Sequence, residues 1–137
     1  MSTPVTANSP LGVFDSGVGG LTVVRALRDL LPNESIIYLG DTARVPYGSK
    51  SPDTIRRFSM EDTQFLVSNG VKAVVVACNT ATAHALPVLQ ATFRVPVIGV
   101  LGPGVEATLS EPNCERVGII GTAGTIRSHA YQHEIAM

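Results

Sequence analysis

Apolar residues along this chain fall into short runs, separated by stretches in which they recur at helical spacing. Leu11–Phe14, Ser35–Leu39, Ala73–Ala77, Val97–Val100 and Val117–Ile120 have the length and composition of five strands. After the first, Leu21, Val24, Leu27 and Leu31 mark one face of a helix; after the second, Ile55, Phe58, Phe65 and Leu66 mark another. Strand and helix alternate, which predicts an α/β fold built on an open parallel sheet flanked by helices. Ala73–Ala77 is the most continuous apolar run and reads as a central strand buried on both faces.

The residues between these elements sharpen the boundaries. Met1–Pro10 is a polar lead with two prolines. Ser51 followed by Pro52 predicts an N-cap and first helical position, and Gly70 a C-cap. Pro87 must either kink the third helix or begin a second short one. Val105–Leu109 is expected to be a short helix, and Ile126–Met137 the start of another. The loop Gly40–Lys50 is long for its place and carries Asp41, Arg44 and Tyr47, as loops at the strand-end face of functional folds do. Equally, Asp41 and Arg44 could simply pair with each other, leaving Tyr47 as a lid over nothing.

Two turns carry candidate chemistry. Asp15-Ser16-Gly17-Val18-Gly19-Gly20 links a strand to a helix, but Thr22 stands where a dinucleotide fingerprint needs its third glycine. The Gly-Lys-Ser/Thr of a phosphate-binding loop is also missing. Its backbone N–H groups are expected to suit a smaller anion such as a carboxylate; Asp15 could instead be only the cap of that turn. Cys78 follows the central strand, with Asn79 and Thr80 as candidate helix caps. At a strand's carboxyl end beside a helix N-terminus, its thiol is expected to have a lowered pKa. The alternative is a small buried hydrophobe.

Composition narrows the class. The 137 residues are 45% hydrophobic and 15% charged with net charge −1, which suits a compact enzyme-like domain and excludes a disordered chain. No basic run tracks a nucleic-acid backbone, no apolar stretch approaches the roughly 20 residues of a membrane span, and no signal peptide opens the chain. Cys78 and Cys114 form neither a disulfide framework nor a C-x-x-C pair, so a reducing, cytoplasmic setting is expected. His129 and His133 have the spacing of a metal pair, but no third ligand motif accompanies them, and solvent-facing histidines are expected.

Three motifs then coincide. Asp15–Gly20, Asp41-Thr42-Ala43-Arg44-Val45-Pro46-Tyr47-Gly48 and Ala77-Cys78-Asn79-Thr80-Ala81 together resemble the glutamate racemase family, and the likeness runs from Leu11 to the end. The resemblance implies two pseudo-symmetric α/β domains with glutamate between them, no cofactor, and a role in supplying D-glutamate for peptidoglycan. It implies that Cys78 is one of two catalytic cysteines, with Asp15 orienting the ammonium group or assisting the proton transfer. Asp15, Ser16, Tyr47, Gly48, Asn79 and Thr80 are the positions it implies for holding the amino acid. Inversion without a cofactor needs an acid and a base on opposite faces of the α-carbon, and thiols can be tuned to both tasks.

The chain also departs from that pattern. The family's second cysteine lies in a Gly-Cys-Thr-His motif, which these residues lack; Cys114, in Pro-Asn-Cys-Glu-Arg, is not its counterpart. Residues 1–104 are expected to be the first domain without its closing segment, and 105–137 the opening of the second, a repeat suggested by the likeness of the turns at Gly17 and Gly121. Such a half is expected to be inactive alone, and to self-associate or pair with the missing half. The other readings are a non-catalytic fragment that binds a dicarboxylic amino acid weakly, and an aspartate racemase relative.

Overall fold

The computed structural model describes residues 5–112 and 115–137. Four strands, β1 (Leu11–Asp15), β2 (Ile36–Gly40), β3 (Ala73–Val76) and β4 (Val97–Gly99), form one parallel sheet in the order β2-β1-β3-β4. Phe14 lies opposite Leu39 on one side and Val76 on the other, so β1 and β3 are the inner strands. Helices α1 (Leu21–Leu30), α2 (Pro52–Ser68) and α3 (Asn79–Thr92) make the crossovers between successive strands. The expected α/β class and open parallel sheet are therefore what the chain forms.

Helices α2 and α3 lie side by side against the strands. Ile55, Leu66, Val74, Val76, Ala81, Ala85 and Leu89 are fully excluded from water between them, the larger side chains each adding roughly 1.5 to 3 kcal/mol of apolar burial. Coverage is uneven. Val74 and Val76 are fully buried while Ala73 and Val75 are only half-buried, so β3 is not enclosed on both faces as its apolar run suggests. Helix α1 has no buried residue, and Leu21 and Leu30 remain exposed.

The capping signals act locally. Ser51 Oγ accepts from the Thr54 N–H at 3.2 Å with Pro52 at the first helical position. Asn69 caps the end of α2, and Gly70 follows with φ of 76°, a left-handed conformation that a side chain would strain. Pro87 lies inside α3, which runs through to Thr92 as one helix. Helix α4 (Leu101–Leu109) starts earlier than its apolar residues suggest, with Pro103 in its first turn where a missing N–H costs nothing.

Val117–Ile120 does not form the expected fifth strand. Among the described residues it pairs with no neighbouring strand, and Ile120 is almost wholly exposed. A strand needs a partner backbone for its N–H and C=O groups, and this largely exposed segment has none among the described residues. The chain then forms α5 (Ala123–Arg127) and α6 (Ala130–Ile135), which pack against α3 and α4 respectively. His129 precedes α6 in the left-handed conformation, φ 54°, so it does not share a helical face with His133; both are exposed. Among the described residues, no helix is long and apolar enough to cross a membrane.

Candidate functional site

The strand order places one crevice. From β1 the chain crosses to β2 on one side, whereas β3 leads to β4 on the other, so the connections diverge between the carboxyl ends of β1 and β3. Ligands of open α/β sheets bind at such a reversal. Asp15 is the last residue of β1 and Cys78 lies just beyond β3, joined by the Ala77 N–H bond to Phe14 O at 2.8 Å. A cleft of about 560 Å³ opens there, reached by Asp15, Ser16, Cys78, Asn79 and Thr80.

The glycine-rich turn serves Asp15 first. Asp15 Oδ2 accepts from the Gly20 N–H at 3.0 Å and the Gly17 N–H at 3.2 Å, and Tyr38 braces the turn by donating its hydroxyl to Gly17 O at 2.9 Å. Two backbone donors expected to face a ligand anion are thus taken by the chain's own carboxylate. Asp15 is a turn cap and a cleft residue at once.

Cys78, not Asn79 or Thr80, is the N-cap of α3. Its sulfur accepts from the Ala81 N–H at 3.4 Å, and the thiol donates to Ser16 Oγ at 3.6 Å. The expectation of a lowered pKa is corrected here. Burial of a 6% exposed side chain raises the thiol pKa above its ordinary value, and the Asp15 carboxylate adds to the rise. The Ala81 and Ser16 donors favour the thiolate but offset only part of the desolvation. The balance favours the protonated thiol at Cys78.

The opposite wall comes from the last segment. Thr80 Oγ1 lies 2.8 Å from Thr122 Oγ1 and 3.0 Å from Thr125 Oγ1, and these two are 3.0 Å apart, so three hydroxyls close a ring. The Tyr131 hydroxyl donates to Asn79 Oδ1 at 2.8 Å. His84 contributes structure, its Nε2 lying 3.0 Å from Gly124 O. Thr122, Thr125 and Tyr131 all line the cleft, yet motif reading passed over them. The available signal was the likeness between the turns at Gly17 and Gly121.

Tyr47 and Gly48 stand apart from this group. Tyr47 is 1% exposed and turned inward, its hydroxyl 2.5 Å from Asp41 Oδ2 and 2.7 Å from Asp62 Oδ2. Asp41 and Arg44 do pair, Nε to Oδ2 at 2.6 Å, but Tyr47 is a core residue rather than an idle lid. Gly48 sits against α5 so closely that a Cβ would come within 2.2 Å of Thr122 Cβ. It therefore supports the cleft wall from behind. Cys114 lies outside the described residues. Among those described, no group of three His, Cys, Asp or Glu is placed to hold a metal ion.

Comparison with known proteins places this arrangement. The model of the Asp/Glu/Hydantoin racemase family matches residues 21–137. A glutamate racemase of Geobacter metallireducens is 55% identical over 125 residues, spanning 91% of this chain and 46% of the relative. The crystal structure of glutamate racemase from Thermus thermophilus in complex with β-chloro-D-alanine superposes with a TM-score of 0.87 at 53% identity, over 93% of this chain and 49% of that one. The Francisella tularensis glutamate racemase in complex with D-glutamate gives 0.87 at 47% identity, over 94% and 48%. The chain spans about half the length of the relatives it matches. On the strength of the match across residues 21–137, it belongs to the Asp/Glu/hydantoin racemase family.

Proposed function

We propose that this chain carries one half of a cofactor-independent glutamate racemase site, with Cys78 as the acid/base group on one face of the α-carbon. The observation that supports it most is the meeting of Cys78, Asp15 and Ser16 at the sheet's strand-order reversal, in a chain about half identical to glutamate racemases over its matched length. Catalysis requires the Cys78 thiolate to take the α-proton from one face and a second acid to return a proton to the other. The developing negative charge spreads onto the substrate's α-carboxylate, so donors placed there lower the barrier. Asn79, Thr80 and Ser16 supply such donors.

The resting thiol fits this cycle. A protonated Cys78 is ready to donate a proton; to accept one it must first ionise. The substrate's ammonium group, drawn toward Asp15, brings a positive charge beside the sulfur and pulls its pKa down. Ligand binding thereby switches Cys78 toward the base form. Tyr47 and Gly48 hold the site through the backbone of their loop. The product, D-glutamate, would serve peptidoglycan synthesis in the cytoplasm, with residues 1–104 as the first domain and 105–137 as the opening of the second.

Inversion needs a group on the opposite face, and no Gly-Cys-Thr-His sequence occurs in these 137 residues. The test follows glutamate by circular dichroism over time, with the chain alone and with a separate polypeptide spanning the second half of a relative. Residues 1–137 alone should give no measurable racemisation, and at most slow exchange of the α-hydrogen for deuterium in one enantiomer. The added half should restore turnover, and Cys78→Ala should abolish it. Preference for aspartate over glutamate in the restored assay would reassign the substrate. Robust racemisation by the chain alone, or full activity of Cys78→Ala, would overturn the proposal.

A further inference from the structure

The loop bearing Tyr47 and Gly48 is tied down by a buried cluster that joins its own Asp41, Arg44 and Tyr47 to Asp62, a residue outside every motif. Asp62, on α2, is 3% exposed, and Asp41, at the end of β2, is 8% exposed. One phenol stands between them, Tyr47, within 2.5 Å of one carboxylate and 2.7 Å of the other. A hydroxyl has a single proton to give. If both carboxylates were ionised, one of these two contacts would set oxygen lone pairs against each other at a buried position. The contacts are satisfied together only when the cluster holds one additional proton.

Arg44 shows where that proton belongs. Its Nε donates to Asp41 Oδ2 at 2.6 Å, the same oxygen that faces Tyr47, while its Nη2 donates to Asp62 Oδ1 at 2.8 Å and leaves Asp62 Oδ2 without a cation. We propose that Asp62 is a positioning residue of the cleft: protonated on Oδ2, it donates to the Tyr47 hydroxyl, which donates to Asp41, and this chain of bonds holds Gly48 against the wall formed by Thr122 and Gly124. The inference rests on the racemase reading only for the identity of the cleft's ligand. Burial raises the Asp62 pKa to about 6, with the Asp41 and Glu61 charges adding to the rise and the Tyr47 and Arg44 bonds opposing it.

Among the described residues, the other titratable groups packed on this cluster are engaged elsewhere. Besides Arg44, Asp41 and Tyr47 from the loop and Glu61 from its own helix, the elements packed on α2 offer few titratable groups. Helix α3 carries only His84, bound at Gly124 O; β1 carries only Asp15, held by its turn; β2 carries only Tyr38, bound at Gly17 O; and β3 carries none. Arg57 and Lys50 lie over the Phe58 ring, 5.2 and 5.9 Å from its centre.

Above the Asp62 pKa the Tyr47 anchor loses one of its two bonds, so the loop and the wall behind the cleft loosen as pH rises. The test uses carboxyl-carbon NMR of Asp62 and amide spectra of Gly48 and Gly124 from pH 4 to 8, on wild type, Asp62→Asn and Asp62→Ala. Asn keeps an acceptor for Arg44 and a donor for Tyr47 at every pH. Asp62 should titrate near 6, and the Gly48 and Gly124 amides should shift with the same midpoint in wild type and stay unchanged in Asp62→Asn. The thermal midpoint of wild type should fall below that of Asp62→Asn by several degrees at pH 8, and the gap should shrink to about half at pH 5 and close only near pH 4, where the unfolded carboxylate is protonated as well. Asp62→Ala should melt lower than both. An Asp62 that titrates below about 4.5 like an ordinary carboxylate, glycine amides that ignore its titration, or an Asp62→Asn protein less stable than wild type at pH 8 would each overturn the proposal. None of these readouts involves glutamate, so they fail or succeed independently of the racemase assay.

Discussion

The reactivity of Cys78 offers the most direct check on the site's electrostatics. A free thiol with pKa of about 8.5 is roughly 7% thiolate at pH 7.4. Cys78 lies above its ordinary value, chiefly because its buried sulfur cannot be solvated as an anion. Each unit of rise removes about nine-tenths of the remaining thiolate at that pH, and the 6% exposure of the side chain further restricts approach. With Cys114 replaced by Ser so that one thiol reports, iodoacetamide should modify Cys78 at least about tenfold more slowly than free cysteine at pH 7.4. Its rate should keep climbing about tenfold per pH unit past pH 8.5, where a free thiol begins to level off. Asp15→Asn keeps an acceptor for the Gly17 and Gly20 N–H groups but removes a negative charge, and should raise the rate at pH 7.4 by roughly two- to threefold. Mass spectrometry of quenched time points measures all three. A Cys78 as fast as free cysteine, or a rate that levels off below pH 8, would mean that the helix N-terminus outweighs burial and that the resting thiol argued above is wrong.

Other substitutions test the scaffold. Gly48→Ala puts a Cβ 2.2 Å from Thr122 Cβ, so the loop or α5 must move; thermal denaturation should show a loss of about 1–3 kcal/mol. Ser51→Ala removes the acceptor of the Thr54 N–H and should cost about 1 kcal/mol by urea titration, because the donor still reaches water. Leu66→Ala opens a void where α2 meets β1 at a fully buried position and should cost about 2–5 kcal/mol by the same method; a loss below 1 kcal/mol would mean that this interface is loosely packed.

Much of the architecture was legible because its signals are local. The valine-rich run at Ala73, the Ser51-Pro52 helix start and the Gly70 stop each act on the backbone within a turn or two of themselves. Two of the three motifs marked Asp15, Ser16, Cys78, Asn79 and Thr80, which the fold gathers because they end or follow β1 and β3 at the strand-order reversal; the third marked Tyr47 and Gly48, which stand apart from the cleft. Val117–Ile120 failed as a strand for a non-local reason: its apolar pattern is correct, but strand structure needs a neighbour's backbone, and it has none among the described residues.

By itself the sequence determined the α/β alternation, the helix ends and the side of the crevice made by Asp15, Ser16, Cys78, Asn79 and Thr80, which lie where strands end and helices begin. Only tertiary structure decided the protonation of that crevice. Cys78 sits at a helix N-terminus, as its neighbours predict, but burial outweighs the hydrogen bonds from Ala81 and Ser16, since desolvation depends on everything packed around the sulfur. Tyr47 carries a family motif, yet its hydroxyl turns inward because Asp62, fifteen residues on along α2, meets it there. The cleft's far wall is likewise a matter of packing, since Thr122 and Thr125 are more than forty residues from Thr80, and no spacing rule brings three hydroxyls together across that distance.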